Sequence, residues 1–155
     1  MVSHLDKKNN PIMVDVGDKN ITQRIAKAEG EIIFDKQSFK KIESLKSKKG
    51  NIKNIAIVAG IMGAKETSKL IPLCHNIPID SVKIKITKNV KKNTLIVNSK
   101  VKTSSKTGVE IEALTAVAVS CLTIYDMCKY LNKSIKIKNI KLISKMGGKS
   151  GNFQP

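Results

Sequence analysis

Little in this sequence could stack on a nucleobase: tryptophan is absent and aromatic residues make up 3% of the chain. Arginine, whose planar fork reads bases and phosphates bidentately, occurs once, at Arg24. Both shortages count against a nucleic-acid reader. The three cysteines, Cys74, Cys121 and Cys128, form an odd set without framework spacing, which points to reduced thiols. The longest uncharged stretch, Ala113 to Tyr125, falls short of the roughly 20 residues a membrane-spanning helix needs. Met1 to Lys8 lack the apolar segment of a secretory signal. A cytoplasmic setting with no membrane partner is expected.

Acidic residues are scarce too. Twelve stand against 29 basic ones, giving a formal charge of +17, and every basic residue except Arg24 is lysine. Such a balance attracts anionic ligands. It names no partner, because a lysine-rich surface can follow from genome composition. With 155 residues and 41% apolar content, one domain with a modest core is expected.

Residues 1–22 are polar, broken by Pro11 and Gly17, and read as an irregular arm; residues 23–155 read as one domain. Ile25 to Phe34 has strand character. Asp35 offers an N-cap to a helix carrying Phe39, Ile42 and Leu45 on one face, closed by Lys46 to Gly50. A second helix is expected over Ile52 to Leu70, with a seam of small residues at Ala56, Ala59, Gly60, Gly63 and Ala64. Pro72 and Pro78 bound a loop. Alternation of Val82, Ile84 and Ile86 with lysine, continued by Leu95, Val97 and Val101, predicts a hairpin. A long helix, apolar nearly all round, follows from Gly108 to Leu131, then a last strand over Ile135 to Ile143 and a glycine-rich tail. The class is α+β, and the order β-α-α-β-β-α-β is that of a ferredoxin-like fold, an antiparallel sheet packed on helices. A helix so apolar in so small a domain predicts that a second subunit covers part of it.

Three segments could carry chemistry. Thr107 and Glu110 have the spacing of a capping box, which accounts for Glu110 but leaves Glu112 unexplained beside its apolar neighbours. Asp126 and Lys129, three apart near the other end of the same helix, read either as a surface ion pair or as a carboxylate positioning a lysine for proton transfer. Glu112 and Asp126 share a helix face but lie about 20 Å apart along it, so a single site using both draws on different subunits. Cys74-His75 has too few companions for a zinc site, and no metal is expected; His75 reads as a hydrogen-bonding substrate contact. Gly147-Gly148-Lys149-Ser150-Gly151 is not a Walker loop, since Ile143 stands where glycine is needed; its amides with Lys145 and Lys149 could still cradle phosphate.

Met13-Val14-Asp15-Val16, Ala59-Gly60-Ile61, Leu70-Ile71-Pro72-Leu73-Cys74-His75, the segment Lys106 to Ala116, Leu122 to Lys129 and Gly147 to Gly151 occur here in one order. Together they resemble the molybdenum cofactor biosynthesis protein C family, the cyclic pyranopterin monophosphate synthases. The resemblance implies a ferredoxin-like subunit in a homo-hexamer, a trimer of dimers with interfacial active sites. It implies a nucleotide substrate, 3′,8-cyclo-7,8-dihydro-GTP, and the products cyclic pyranopterin monophosphate and diphosphate. By that similarity Asp126, Lys129 and Lys49 are catalytic. Leu73, Cys74, His75, Ile111 and Glu112 match substrate-binding segments, and Glu110, Lys65, Arg24, Lys145 and Lys149 are further pocket residues. No cofactor is implied, though a divalent cation could accompany the triphosphate. The chain departs from the usual pattern at Ile57, Asn76 and Lys69. The rivals are an RNA-binding sheet, which would need aromatic residues where these strands offer valine, isoleucine and lysine, and an oligomeric scaffold, which leaves Glu112 and Asp126 without a role.

Overall fold

The computed structural model describes residues 5–6, 8–42, 46–47, 50–148 and 151–155. Four strands form the sheet: β1 (Thr22–Ile33), β4 (Ser81–Asn89), β5 (Thr94–Ser105) and β6 (Lys136–Met146). Their order is β4-β5-β1-β6 with every neighbouring pair antiparallel, the arrangement of a ferredoxin-like sheet. Between β1 and β4 come α1 (Lys36–Lys41), a small ladder of β2 (Lys46–Ser47) and β3 (Gly50–Asn51), α2 (Ile52–Lys65) and α3 (Thr67–Leu70). The helix α4 (Glu110–Cys128) links β5 to β6.

The inward face of the central strand explains how the layers stack. β1 buries Ala26, Ala28, Gly30 and Ile32 in alternation, so most of its core face is small. The bulk comes instead from α4, whose Val117, Cys121 and Ile124 are fully buried. A Cβ on Gly30 would stand 2.6 Å from Val117 Cγ1, a measure of how closely helix and strand approach. The small-residue seam of α2 works the same way against α4: a Cβ on Gly63 would meet Val119 at 2.7 Å. The open sheet face carries Lys27, Lys100 and Lys83 directly opposite one another on three adjacent strands.

Several sequence expectations need correction. The first helix stops at Lys41, with Ile42 as a buried C-cap, and Lys46-Ser47 pairs with Gly50-Asn51 instead of closing that helix. The Asp35 N-cap is present, its side chain accepting from Ser38 N at 2.9 Å. The expected Ile52 to Leu70 helix breaks at Glu66, where Thr67 Oγ1 donates to the Gly63 carbonyl and the chain restarts as α3. β6 runs on to Met146, and two register shifts against β1 spoil its simple alternation. At 19 residues α4 is long and apolar enough, by length and composition, to cross a membrane. Its packing against β1, β5, β6 and α2 identifies it as the core helix of this fold.

Candidate active site

The sheet and α4 converge at one end, where β1 begins, β5 and β6 finish and α4 starts. Arg24 on β1 donates to the carbonyl oxygens of Ser105 (3.4 Å from Nε) and Lys106 (3.2 Å from Nη2). Its guanidinium lies against Gly148, where a Cβ would come within 2.3 Å of Nη1. Gly147 has φ +83, and a Cβ there would overlap the Gln23 carbonyl oxygen, so glycine is required on both counts. Lys145 on β6 pairs with Glu110 at 3.1 Å, both side chains partly exposed. This replaces the capping box expected for Glu110: the N-cap of α4 is Val109, without a side-chain cap bond.

These groups line a cleft of about 950 Å³ with four cations, Lys19, Arg24, Lys106 and Lys145, against two carboxylates, Asp18 and Glu110. A second compartment of about 430 Å³ adjoins it, sharing Thr107, Gly108 and Glu110. Its remaining wall is Ile71, Leu73, Cys74, His75, Ile77, Ile111 and Glu112. The pair can therefore hold a ligand with a polyanionic tail in one half and a less charged, partly polar group in the other.

Burial shapes the chemistry of the second compartment. Glu112 is only 5% exposed; desolvation, with the Glu110 charge as a lesser cause, raises its pKa above 4.5. The Cys74 thiol is also raised, by burial first and the nearby Glu112 charge second, so at neutral pH it is an S–H donor rather than a nucleophile. All three cysteines are free thiols, and burial pushes Cys121 up to about 12 and Cys128 up to about 11. Above the raised pKa of Glu112 its carboxylate is charged in both folded and unfolded chains, and the burial penalty is fully present. As pH falls through that value toward 4.5 the folded form takes up a proton and the penalty fades. Glu112→Gln is therefore expected to melt higher than wild type at neutral pH, with the gap closing as pH falls; a constant gap in a pH series of calorimetric scans would contradict this.

The arm contributes contacts that residue types alone do not signal. The carbonyl of Val14 sits 2.7 Å from His75 Nε2, and Lys106 Nζ donates to the carbonyl of Gly17. The arm thus runs along both compartments. Its one sequence signal is Met13-Val14-Asp15-Val16, which speaks only through the family resemblance.

The fold does not gather every expected residue. Arg24, Leu73, Cys74, His75, Glu110, Ile111, Glu112 and Lys145 come together at this end. Asp126 and Lys129 pair at 2.8 Å near the opposite end of α4, with side chains 56% and 52% exposed. The hydrogen bond to Asp126 raises the Lys129 pKa, with Asp126's charge the next cause, so within one chain Lys129 is held as an ammonium proton donor, the reverse of the direction a lysine base requires. Lys65 lines a separate groove with Ile61, Ile79 and Asp80 that shares Ile77 with the apolar compartment. Lys49 and Lys149 lie outside the described residues.

The chain matches the family described as MoaC family over residues 13–148. It is 51% identical to the cyclic pyranopterin monophosphate synthase of Campylobacter jejuni subsp. jejuni serotype O:23/36 (strain 81-176), over 98% of this chain and 97% of that relative. It is 52% identical to the protein of the same name from Clostridium botulinum (strain Alaska E43 / Type E3), over 97% and 95%. The namesake from Helicobacter hepaticus (strain ATCC 51449 / 3B1) is 49% identical over 98% and 96%.

Proposed function

Because the chain belongs to the MoaC family, we propose that it performs the reaction its relatives are named for, the synthesis of cyclic pyranopterin monophosphate. It is a lyase of molybdenum cofactor biosynthesis that converts 3′,8-cyclo-7,8-dihydro-GTP into cyclic pyranopterin monophosphate and diphosphate. The observation that carries this reading in the molecule itself is the pair of adjoining compartments, one basic and one apolar with a thiol, an imidazole and a buried carboxyl.

The triphosphate occupies the basic cleft, where Arg24 and Lys145 neutralise charge that builds on the departing diphosphate, a role the family resemblance extends to Lys149. The purine-derived ring enters the apolar compartment between Leu73, Cys74 and His75 on one side and Ile111 and Glu112 on the other. Opening that ring and closing a pterin require proton shuttling, which Lys49, Asp126 and Lys129 supply. This reading assigns no protein-held cofactor and leaves room for a divalent cation carried in with the triphosphate. The cytoplasm, where nucleoside triphosphates are made, is the compartment that suits it.

Asp126 and Lys129 reach the substrate from a neighbouring copy. Supporting this, both helices leave apolar side chains uncovered: Ile55, Val58 and Met62 in one stripe of α2, and Leu122, 58% exposed, on α4. A second copy covers these faces, and dimers assemble further into a hexamer. Sedimentation at micromolar concentration is expected to show the oligomer, and a stable monomer would refute the shared site. The reaction itself is tested by incubation with the cyclised nucleotide, following the pyranopterin by mass and by fluorescence after oxidation. No conversion by a folded oligomer would overturn the function.

A further inference from the structure

His75 makes one hydrogen bond among the described residues, between Nε2 and the Val14 carbonyl at 2.7 Å. A peptide carbonyl has lone pairs and no proton, so a contact of this length requires the hydrogen on Nε2. A neutral imidazole carries one ring proton, and placing it on Nε2 leaves Nδ1 with a bare lone pair. The same side chain lines the apolar compartment with Cys74 and Glu112. There Cys74, its thiol pKa raised by burial, offers an S–H. Nδ1 adds a neutral acceptor to that wall, beside the Glu110 and Glu112 carboxyls.

We infer that the Val14 carbonyl, reaching in from the arm, fixes His75 as the Nε2–H tautomer and so leaves Nδ1 as the acceptor for a ring N–H of the bound nucleotide. Val14 is thereby a positioning residue that acts through His75, and the arm becomes part of the recognition apparatus. The identity of the N–H donor rests on the function proposed above; the tautomer does not.

The tautomer can be read directly. The sequence holds two histidines, His4 and His75, so a His4→Gln protein labelled with 15N only at histidine leaves one imidazole to observe. A magic-angle-spinning 15N spectrum in alkaline buffer is expected to show a protonated Nε2 and an unprotonated Nδ1. A proton on Nδ1, or a mixture of tautomers, would overturn the inference. Kinetics then test the acceptor. Glutamine at 75 can still donate to Val14 from the Nε2 position but offers nothing at Nδ1, whereas asparagine places its amide near Nδ1. His75→Gln is expected to raise KM about 10-fold, the loss of one hydrogen bond, and His75→Asn to raise it less. Wild-type KM in His75→Gln would refute the acceptor role whatever the spectrum shows. Failure of the wild-type protein to convert the nucleotide would refute the function, while the spectrum alone would still decide the tautomer.

Discussion

Lys129→Ala is expected to lower turnover of the cyclised nucleotide by about 1,000-fold or more, the loss associated with a positioned proton-transfer group, while the oligomer sediments unchanged. The two halves of that expectation come from the same geometry. Lys129 is the C-cap of α4 and its side chain is half exposed, so removing it leaves no cavity and strands no buried partner. Asp126, 2.8 Å away, keeps the ammonium protonated and aimed, which is worth little to the fold and much to a reaction that must deliver protons. The measurement is kcat under saturating substrate, with sedimentation and a melting scan as controls. Wild-type turnover in this variant would remove Lys129 from the mechanism.

Gly60→Ala carries the largest expected structural penalty. A Cβ at this position would stand 2.1 Å from Ser120 Oγ, 2.5 Å from Ile84 Cδ1 and 2.7 Å from the Ala116 carbonyl oxygen. One of those atoms is backbone. Another belongs to a buried hydroxyl donating to the Ala56 carbonyl at 2.9 Å, a bond that ties α4 to α2. A single methyl must therefore spread the two helices or break that bond. Overpacking and a lost buried hydrogen bond together cost about 3–5 kcal/mol, a large part of the stability of a domain this size. Chemical denaturation should show the loss, and turnover per folded molecule should fall with it as the start of α4 shifts. A midpoint within about 1 kcal/mol of wild type would mean that the helix pair is far softer than its packing indicates.

How much of this can be read from the residues depends on the reach of each contact. The β-α-β order, the hairpin and the buried helix are legible, because the period-2 and all-apolar patterns are local properties of the chain. The seam of α2 is legible as composition, though only the fold shows that Gly60 meets Ser120 and Ala116. The first helix is overextended by its sequence pattern for lack of any local mark of its end: Phe39 and Ile42 keep helical spacing across a terminus at Lys41. Glu110 reads as part of a cap because its actual partner, Lys145, is distant in sequence, on β6. The arm's role is hidden for a different reason: His75 and Lys106 both contact main-chain carbonyls, and a carbonyl has no residue type to betray it. The grouping of Arg24, Glu110, Glu112, Cys74 and His75 is available only through the resemblance, and the fold supplies its geometry.

The length of α4 has a consequence for stoichiometry. Its first turn holds Glu112 and its C-cap is Lys129, so in the proposed shared site each chain brings a different half of the machinery at either pole. In the proposed dimer, two chains related by a two-fold axis across the helix build two whole centres, each with one pole from either parent. Damaged chains should therefore repair one another. Mixing Lys129→Ala with Glu112→Ala under subunit exchange would pair the two defects in one centre and leave the other intact, so that about a quarter of the centres are whole although both parents are damaged at every one.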